Sequence, residues 1–144
     1  MELVSVFAPR KYGIIKKNIN FLIENLQNEL NFSIVNLDIN IVDKKALLKV
    51  NMEFLGHNYD TDIITFNYSG DNNILEGELL ISYDIAVENA ARFNCSVNSE
   101  LLRLVIHGIL HLVGYDDMND IDRKKMKRKE NLFVKKFNNV QILK

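Results

Sequence analysis

The stretch Ser99–Asp117, SELLRLVIHGILHLVGYDD, contains the longest apolar segment of the chain and two of its three histidines. Apolar residues occupy nearly every face of the helix that this segment predicts, so the helix is expected to be central and buried. Residues four apart lie one above the other on a helix, so the imidazoles of His107 and His111 can converge on one ion. A single histidine on an apolar helix is usually a packed core residue, but one shared cation would serve both rings as a buried polar partner.

A third metal ligand is predicted just beyond the end of this helix. Gly114 lacks a Cβ and can adopt the left-handed conformation that ends many helices and turns the backbone sharply. The turn would bring residue 116 or 117 back toward the imidazoles, and Asp117 is the predicted ligand. Two imidazoles and one carboxylate, with an open position for water, form one of the known catalytic zinc sites. One divalent metal ion, zinc, is therefore the predicted cofactor, and His107, His111 and Asp117 are predicted to be catalytic through it.

Position 108 separates this motif from that of the zinc peptidases. In those enzymes a Glu follows the first His and acts as the general base for attack of water on a carbonyl. Gly108 occupies that position here. The ligand spacing alone keeps a metallopeptidase as the weaker alternative, with peptide hydrolysis the less favoured chemistry.

Residues 107–116, HGILHLVGYD, resemble the motif of the YbeY family, bacterial endoribonucleases of ribosomal RNA maturation and ribosome quality control. Asp117 stands where that family usually has a third His. A carboxylate still coordinates a metal, but it lowers the net charge on the ion and suits harder ions such as manganese as well as zinc.

Two further segments resemble the same family. Asn51–Phe66, NMEFLGHNYDTDIITF, is similar to its stretch that ends in Thr-Asp-Val-Leu-Ser-Phe, and Gly77–Ser82, GELLIS, is similar to its Gly-Asp-Ile-x-Ile-Ser strand. The family usually carries an Arg at the position of Leu55 and a Pro at that of Asp60. The resemblance therefore spans most of the chain from about residue 51 to residue 117.

The resemblance implies a metal-dependent endoribonuclease that acts on single-stranded RNA, with ribosomal RNA as the substrate. It also implies the ribosome or small-subunit ribosomal proteins as partners. The bound ion would activate a water, or polarise the scissile phosphate and stabilise its developing charge. The alternative is a ribosome-assembly or binding factor with a structural metal and no essential catalysis, which Leu55 and Asp117 favour because both depart from the family pattern.

The composition predicts one compact domain over residues 1–144. Hydrophobic residues at 47% and charged residues at 26%, with one Pro and six Gly, are typical of a globular chain. Cys95 is the single cysteine, so no intramolecular disulfide can form, which fits a reducing cytoplasm. No apolar run approaches the ~18 residues of a membrane span, and the N-terminus lacks the basic patch and apolar core of a secretory signal. We therefore expect a cytoplasmic protein with no membrane partner, and its oligomeric state stays open.

Hydrophobic periodicity predicts alternating strands and helices. Strands are predicted over residues 1–7, 37–41, 63–66 and 79–82, and helices over 11–30, 43–54 and 84–93, then from Asn98 or Ser99 and from Asn119 or Asp120. Residues 67–73, rich in Ser, Gly, Asp and Asn, are predicted to form a loop. This order predicts an α/β or α+β fold with a small mixed four-stranded sheet, about five helices and the metal-binding helix at the centre. The resemblance implies the same fold.

The net charge of −1 gives no indication of nucleic-acid binding by bulk electrostatics, but the charge distribution does. Six of the seven residues 123–129, RKKMKRK, are cationic and follow the metal motif directly. Such a cluster would hold a phosphate backbone without reading bases. The alternative is a solvated helix face on which Asp120 pairs with Lys124. The predicted RNA-binding residues, here called the basic cluster, are Arg123, Lys124, Lys125, Lys127, Arg128 and Lys129.

Two residues before the third predicted strand carry weaker signals. His57 is expected to be a surface histidine, because it lies in a Gly-His-Asn loop. Asp62 has two open interpretations. It would either accept the proton of a ligand histidine and fix its tautomer, or cap its strand.

Overall fold

The computed structural model describes residues 3–144 and contains one mixed sheet with helices on both faces. The strands are β1 (Val4–Phe7), β2 (Ser33–Val42), β3 (Ile63–Asn67) and β4 (Ile74–Ser82). The helices are α1 (Lys16–Leu30), α2 (Lys44–Leu55), α3 (Tyr83–Arg92), α4 (Val97–Leu112) and α5 (Asp120–Lys136). Of the strand predicted over residues 1–7, Met1 and Glu2 lie outside the described residues.

The sheet has the order β1-β2-β4-β3. β2 pairs in parallel with both β1 and β4, whereas β3 pairs antiparallel with β4 at one edge. The predicted fold, a small mixed four-stranded sheet with about five helices, is confirmed.

The two faces of the sheet differ in what covers them. Alternate residues of β2 and β4, such as Ile39 and Leu79, are buried in a large core that also contains the apolar faces of α1, α4 and α5. On the other face, Leu80 and Ile64 pack with Leu47 of α2 in a smaller cluster. Each fully buried Leu or Ile contributes roughly 1.5–3 kcal/mol relative to an exposed one, so the large core dominates stability.

Helix α4 lies at the centre of the large core, as predicted. Its buried residues point in nearly all directions: Leu101, Leu102, Leu104, Val105, Ile106, Ile109, Leu110 and Leu112. Gly108 is where the helix approaches the sheet, because a Cβ there would lie 2.7 Å from Cδ2 of Leu79 and 3.0 Å from Cδ1 of Ile63. Position 108 faces the sheet, so a Glu at this point would be directed into the core.

Several helix and strand boundaries differ from the prediction. The helix predicted from residue 11 begins at Lys16, because Arg10–Tyr12 form a 3-10 turn that Gly13 ends with a φ of 64°. β2 and β4 each begin several residues earlier than predicted, since Ser33 and Ile74 already pair with each other. The predicted loop over residues 67–73 loses only Asn67, which is the last residue of β3.

The start of α4 is also earlier than predicted. Ser96 caps the helix by accepting a hydrogen bond from the N–H of Ser99 at 3.0 Å. Asn98 has a different role, since its Oδ1 accepts hydrogen bonds from the N–H groups of Ile142 (2.6 Å) and Leu143 (3.0 Å). The predicted start at Asn98 or Ser99 is therefore wrong by one to two residues from the observed start at Val97. The side chain of Asn98, which the local sequence predicts at the start of the helix, therefore binds the C-terminal residues instead.

Within residues 3–144, none of the helices combines the length and the apolar character that a membrane crossing requires.

Candidate metal centre

Three side chains at the end of α4 come close enough to hold one ion. His107, His111 and Asp117 each offer a ligand atom, and these atoms lie within 4.8 Å of one another. The Nε2 atoms of the two histidines are 3.1 Å apart. Two nitrogens bound to a tetrahedral zinc ion at about 2.0–2.1 Å are roughly 3.4 Å apart, which is close to this spacing. Asp117 is exposed and its side chain can rotate toward the rings, so the donor set fits a metal ion.

Gly114 turns the chain out of α4 and brings Asp117 back toward the histidines. Its φ of 105° lies in a region that residues with a Cβ rarely adopt. The N–H of Gly114 bonds to the carbonyl of His111 (3.1 Å), and the N–H of Tyr115 bonds to that of Leu110 (3.0 Å). These two bonds form the Schellman arrangement that caps helix C-termini. The turn predicted at Gly114 is confirmed.

A buried carboxylate from α5 holds the ring of His107. The Nδ1–H of His107 donates to Oε1 of Glu130 at 2.7 Å. Only 5% of the Glu130 side chain is exposed. Metal-ligating histidines usually donate their second N–H to such a carboxylate, which fixes the tautomer and raises the basicity of the ligand nitrogen. This bond therefore leaves Nε2 of His107 available to bind a metal ion.

The second oxygen of Glu130 binds two cations. Nη1 of Arg103 donates to it at 2.5 Å and Nζ of Lys127 at 3.1 Å. Burial alone would raise the pKa of Glu130, but the hydrogen bonds from His107, Arg103 and Lys127 outweigh burial and lower that pKa to about 2. Glu130 is therefore an anion that joins the candidate metal centre to two cations.

The environment of His111 favours an uncharged ring. Burial, and next the nearby charge of His107, lower the pKa of His111. The ring also forms a hydrogen bond with the backbone of Tyr115. In the tautomers that these bonds favour, each ring keeps its proton on the side away from the other, and the two Nε2 lone pairs face each other. A cation between them would remove this repulsion, which is a second reason that these residues fit a metal.

The candidate metal centre lies beside a cleft between α3, α4 and α5. The cleft has a volume of about 740 Å³, and His107 and Asp117 line one part of it. Asn89 and Glu100 line another part, where burial is the main cause that raises the pKa of Glu100. This volume is far larger than one ion requires, so the cleft can accept part of a larger molecule.

The basic cluster divides between the cleft and the solvent. Arg123 and Lys127 line the cleft, and Arg123 pairs with Asp120 at 3.0 Å in place of the predicted pairing with Lys124. The remaining members lie outside the cleft: Lys124, Lys125, Arg128 and Lys129. With 3.6 residues per turn, Lys125 lies on the opposite side of α5 from Arg123 and Lys127. The spacing of a helix therefore leaves only part of the cluster beside the candidate metal centre.

Asp62 lines the same cleft, where its side chain bonds to Asn89 and not to a histidine ring. Its Oδ2 accepts a hydrogen bond from Nδ2 of Asn89 at 3.4 Å. Within residues 3–144, the carboxylate hydrogen-bonded to one of the two candidate ligand histidines is that of Glu130. Glu130 thus makes the hydrogen bond to a histidine that was one of the two interpretations of Asp62. The reason is that α5 packs beside His107, whereas Asp62 precedes β3.

Two residues of this site, Glu130 and Arg103, are not among those that the sequence predicts for it. The buried residues of α5 are Met126, Glu130 and Phe133, which recur at a spacing of four and three. A single Glu within the apolar stripe of a helix rich in Lys and Arg was the available signal. An acid at such a position requires a buried partner, which points to a functional or structural ion pair.

A family model described as Endoribonuclease YbeY matches residues 10–138 of the chain. A relative from Chlorobium limicola named Endoribonuclease YbeY is 48% identical over 94 residues, which cover 65% of each chain. A relative of the same name from Amoebophilus asiaticus is 35% identical over 112 residues, covering 78% of this chain and 76% of that protein. The matched segment thus spans slightly less than two thirds of the Chlorobium limicola protein.

A solved structure gives the same result for the fold. The solution structure of a protein from Thermotoga maritima superposes with a TM-score of 0.68 and 27% sequence identity, covering 94% of this chain and 90% of that one. The family model covers nearly the whole chain, including both histidines and Glu130. The chain therefore belongs to the Endoribonuclease YbeY family.

Proposed function

We propose that this chain is a metal-dependent endoribonuclease that cleaves single-stranded RNA during ribosomal RNA maturation and ribosome quality control. The observation that carries the proposal is the meeting of two imidazoles and a carboxylate beside a cleft that also contains cations. The names of the relatives support the same reaction. We propose that residues 1–144 form one YbeY-like metallohydrolase domain.

In this proposal His107, His111 and Asp117 hold one divalent cation, which we propose is zinc. When bound, such a cation supplies Lewis-acid chemistry, either by making a water more acidic or by neutralising charge on the phosphate. Glu130 keeps the His107 ring oriented through its 2.7 Å hydrogen bond, so that Nε2 faces His111. Asp117 completes the donor set from the far side of the Gly114 turn.

The cleft supports an extended single strand as the substrate. Arg123 and Lys127 provide positive charge that attracts a phosphate backbone without selecting a base sequence. We propose ribosomal RNA as the natural substrate and the ribosome or its small-subunit proteins as partners. A cytoplasmic location follows from that substrate and agrees with the single cysteine, Cys95.

A ribosome-assembly factor with a structural metal is the second candidate. The favouring observation is that the three proposed ligands join α4 to the segment that leads into α5. An ion bound there would hold α5 in place even without catalysis. Leu55 in place of the family's usual Arg is consistent with this alternative.

A cleavage assay distinguishes the two candidates. We expect zinc-loaded protein to cut a single-stranded RNA in its interior, a chelator to stop the reaction, and added zinc to restore it. A duplex of the same sequence should be cut much more slowly, because the proposed substrate is a single strand. Loss of cleavage in Asp117→Ala provides the control for a contaminating nuclease. Intact RNA after incubation with folded, zinc-loaded wild type would reject the enzyme and leave the assembly factor.

A further inference from the structure

The side of Glu130 that faces away from His107 carries more positive charge than Glu130 neutralises. Its Oε2 accepts hydrogen bonds from both Arg103 and Lys127, while its single negative charge is shared with His107 through Oε1. Two permanent cations thus meet one carboxylate. Arg123, also in the cleft, already has a carboxylate partner in Asp120. At Glu130 itself the two cations Arg103 and Lys127 therefore outnumber the carboxylate by one, while Asp62, Glu100 and Asp117 also line the cleft.

Arg103 is held firmly while several of its donors stay available. Its guanidinium donates two hydrogen bonds from Nη1, one to Glu130 and one to Oδ1 of Asn131 at 2.9 Å. Within the described part of the chain, the N–H groups on Nη2 and Nε have no hydrogen-bond acceptor, and 28% of the side chain is exposed. These remaining donors form the planar fork that binds two oxygens of one phosphate. Arg103 is therefore oriented in advance for an anion that the protein itself does not supply.

Lys127 adds a second, more mobile donor at the same point. Its ammonium has three N–H groups, of which one is used by Glu130, and 62% of its side chain is exposed. Arg103 comes from α4 and Lys127 from α5, and both donate to the same oxygen of Glu130, so their cationic groups lie side by side in the cleft. A phosphate bound by both would contact both helices at once.

The position of this pair relative to the candidate metal centre sets its role. Arg103 precedes His107 by one helical turn on the same face of α4, a separation of about 6 Å along the helix axis. We propose that Arg103 and Lys127 form a phosphate seat for the RNA nucleotide next to the one at the metal, positioning the strand for cleavage. The inference rests on the proposed function, since it assigns a neighbouring phosphate of the same substrate. Both are binding residues of the substrate strand.

RNA binding by metal-free protein tests the seat without requiring cleavage. The probe is a short single-stranded RNA with a fluorescent label, titrated in the presence of a chelator at several salt concentrations. Arg103→Gln and Lys127→Gln are compared with Lys125→Gln, a matched control that removes one exposed cation from the opposite side of α5. Zinc content of each variant after reloading shows that the metal centre is intact, and circular dichroism shows that the variant is folded.

We expect Arg103→Gln and Lys127→Gln each to weaken binding roughly tenfold at low salt, because each loses a charged hydrogen bond to phosphate. Each should also reduce the slope of log affinity against log salt by about 0.7, the value for one phosphate contact with a single strand. Lys125→Gln should change affinity less than twofold, and Arg103→Lys should recover only part of the loss, because an ammonium lacks the fork.

Equal effects of Lys125→Gln and Lys127→Gln would overturn the seat, since the cations would then act only through general charge. Unchanged affinity in both Arg103→Gln and Lys127→Gln would overturn it as well. Failure of the proposed reaction looks different, because wild type would then bind RNA with the expected slope but leave it uncut when loaded with zinc.

Discussion

Replacing His111 with Ala is expected to lower RNA cleavage by more than about a hundredfold and to reduce bound zinc to background. Loss of a residue that merely supports a metal ligand costs roughly 10–100-fold in affinity or activity, so loss of a ligand itself should cost more. After the substitution only His107 and Asp117 would hold the ion. Elemental analysis gives the zinc content per chain, and single-turnover cleavage of a labelled RNA gives the rate.

His57→Ala is the matched control, because it removes the remaining histidine of the chain. His57 is exposed in the loop after α2, as the sequence predicted, and its Nδ1 lies 3.0 Å from the hydroxyl of Tyr59. We expect wild-type zinc content and wild-type cleavage in this variant. If His57→Ala lost its zinc, or if a folded His111→Ala kept it, the assignment of the ligands would be refuted.

The second large effect is expected in Glu130→Gln, on both zinc affinity and stability. The amide keeps the shape of the side chain but removes the charge that binds His107, Arg103 and Lys127. Zinc affinity should fall by about 10–100-fold, because the ring of His107 loses its carboxylate partner. A competition titration against a chromogenic chelator measures this change.

The effect of Glu130→Gln on stability should depend on pH with a defined sign. The pKa of Glu130 in the folded protein is about 2, below the ordinary value of 4.5. A group whose folded pKa is depressed stabilises the protein above its unfolded pKa, and this contribution is lost as the pH falls toward the folded pKa. In metal-free protein the variant should therefore be less stable than wild type by about 3 kcal/mol at neutral pH. The difference should shrink between about pH 5 and pH 2.

Urea denaturation of metal-free protein over this pH range measures the difference. Glu53→Gln, at an exposed position of α2, serves as the control and should follow the wild-type curve throughout. If the difference in unfolding free energy between wild type and Glu130→Gln stayed constant from pH 7 to pH 2, the negative charge of Glu130 would not be what stabilises the folded protein.

The parts of the site that sequence predicts are those fixed by local geometry. The spacing of His107 and His111 follows from the period of a helix, and a helix through so apolar a segment is the expected structure. Gly114 and Asp117 follow His111 by three and six residues. The left-handed turn at Gly114 positions them without a contribution from another helix or strand. Local rules therefore suffice for the whole proposed donor set.

The contact between Glu130 and Arg103 cannot be predicted from local sequence, because it depends on how α5 packs against α4. Glu130 is 23 residues from His107 and 27 from Arg103 in the chain. Sequence indicates that a charged residue lies in the buried stripe of α5, but the partner is set by the angle and register of two helices. The same packing decides that Lys127 faces the cleft and Lys125 faces away.

The early start of α4 has a related cause. Asn98 looks like a helix cap by residue type, yet its side chain holds the backbone of Ile142 and Leu143 at the other end of the chain. Ser96 then provides the cap one turn before Ser99. By residue type, several polar residues could cap the start of α4. The long-range contact of Asn98 with the C-terminal residues determines which of them does.

X-ray absorption spectroscopy of zinc-loaded protein tests most directly whether His107, His111 and Asp117 hold one ion. We expect a spectrum of two imidazole nitrogens and light oxygen ligands at about 2.0–2.2 Å, with Asp117→Ala losing an oxygen or the zinc itself. A sulfur neighbour at about 2.3 Å, which only a cysteine or methionine could supply, would contradict the account. So would a spectrum that Asp117→Ala left unchanged.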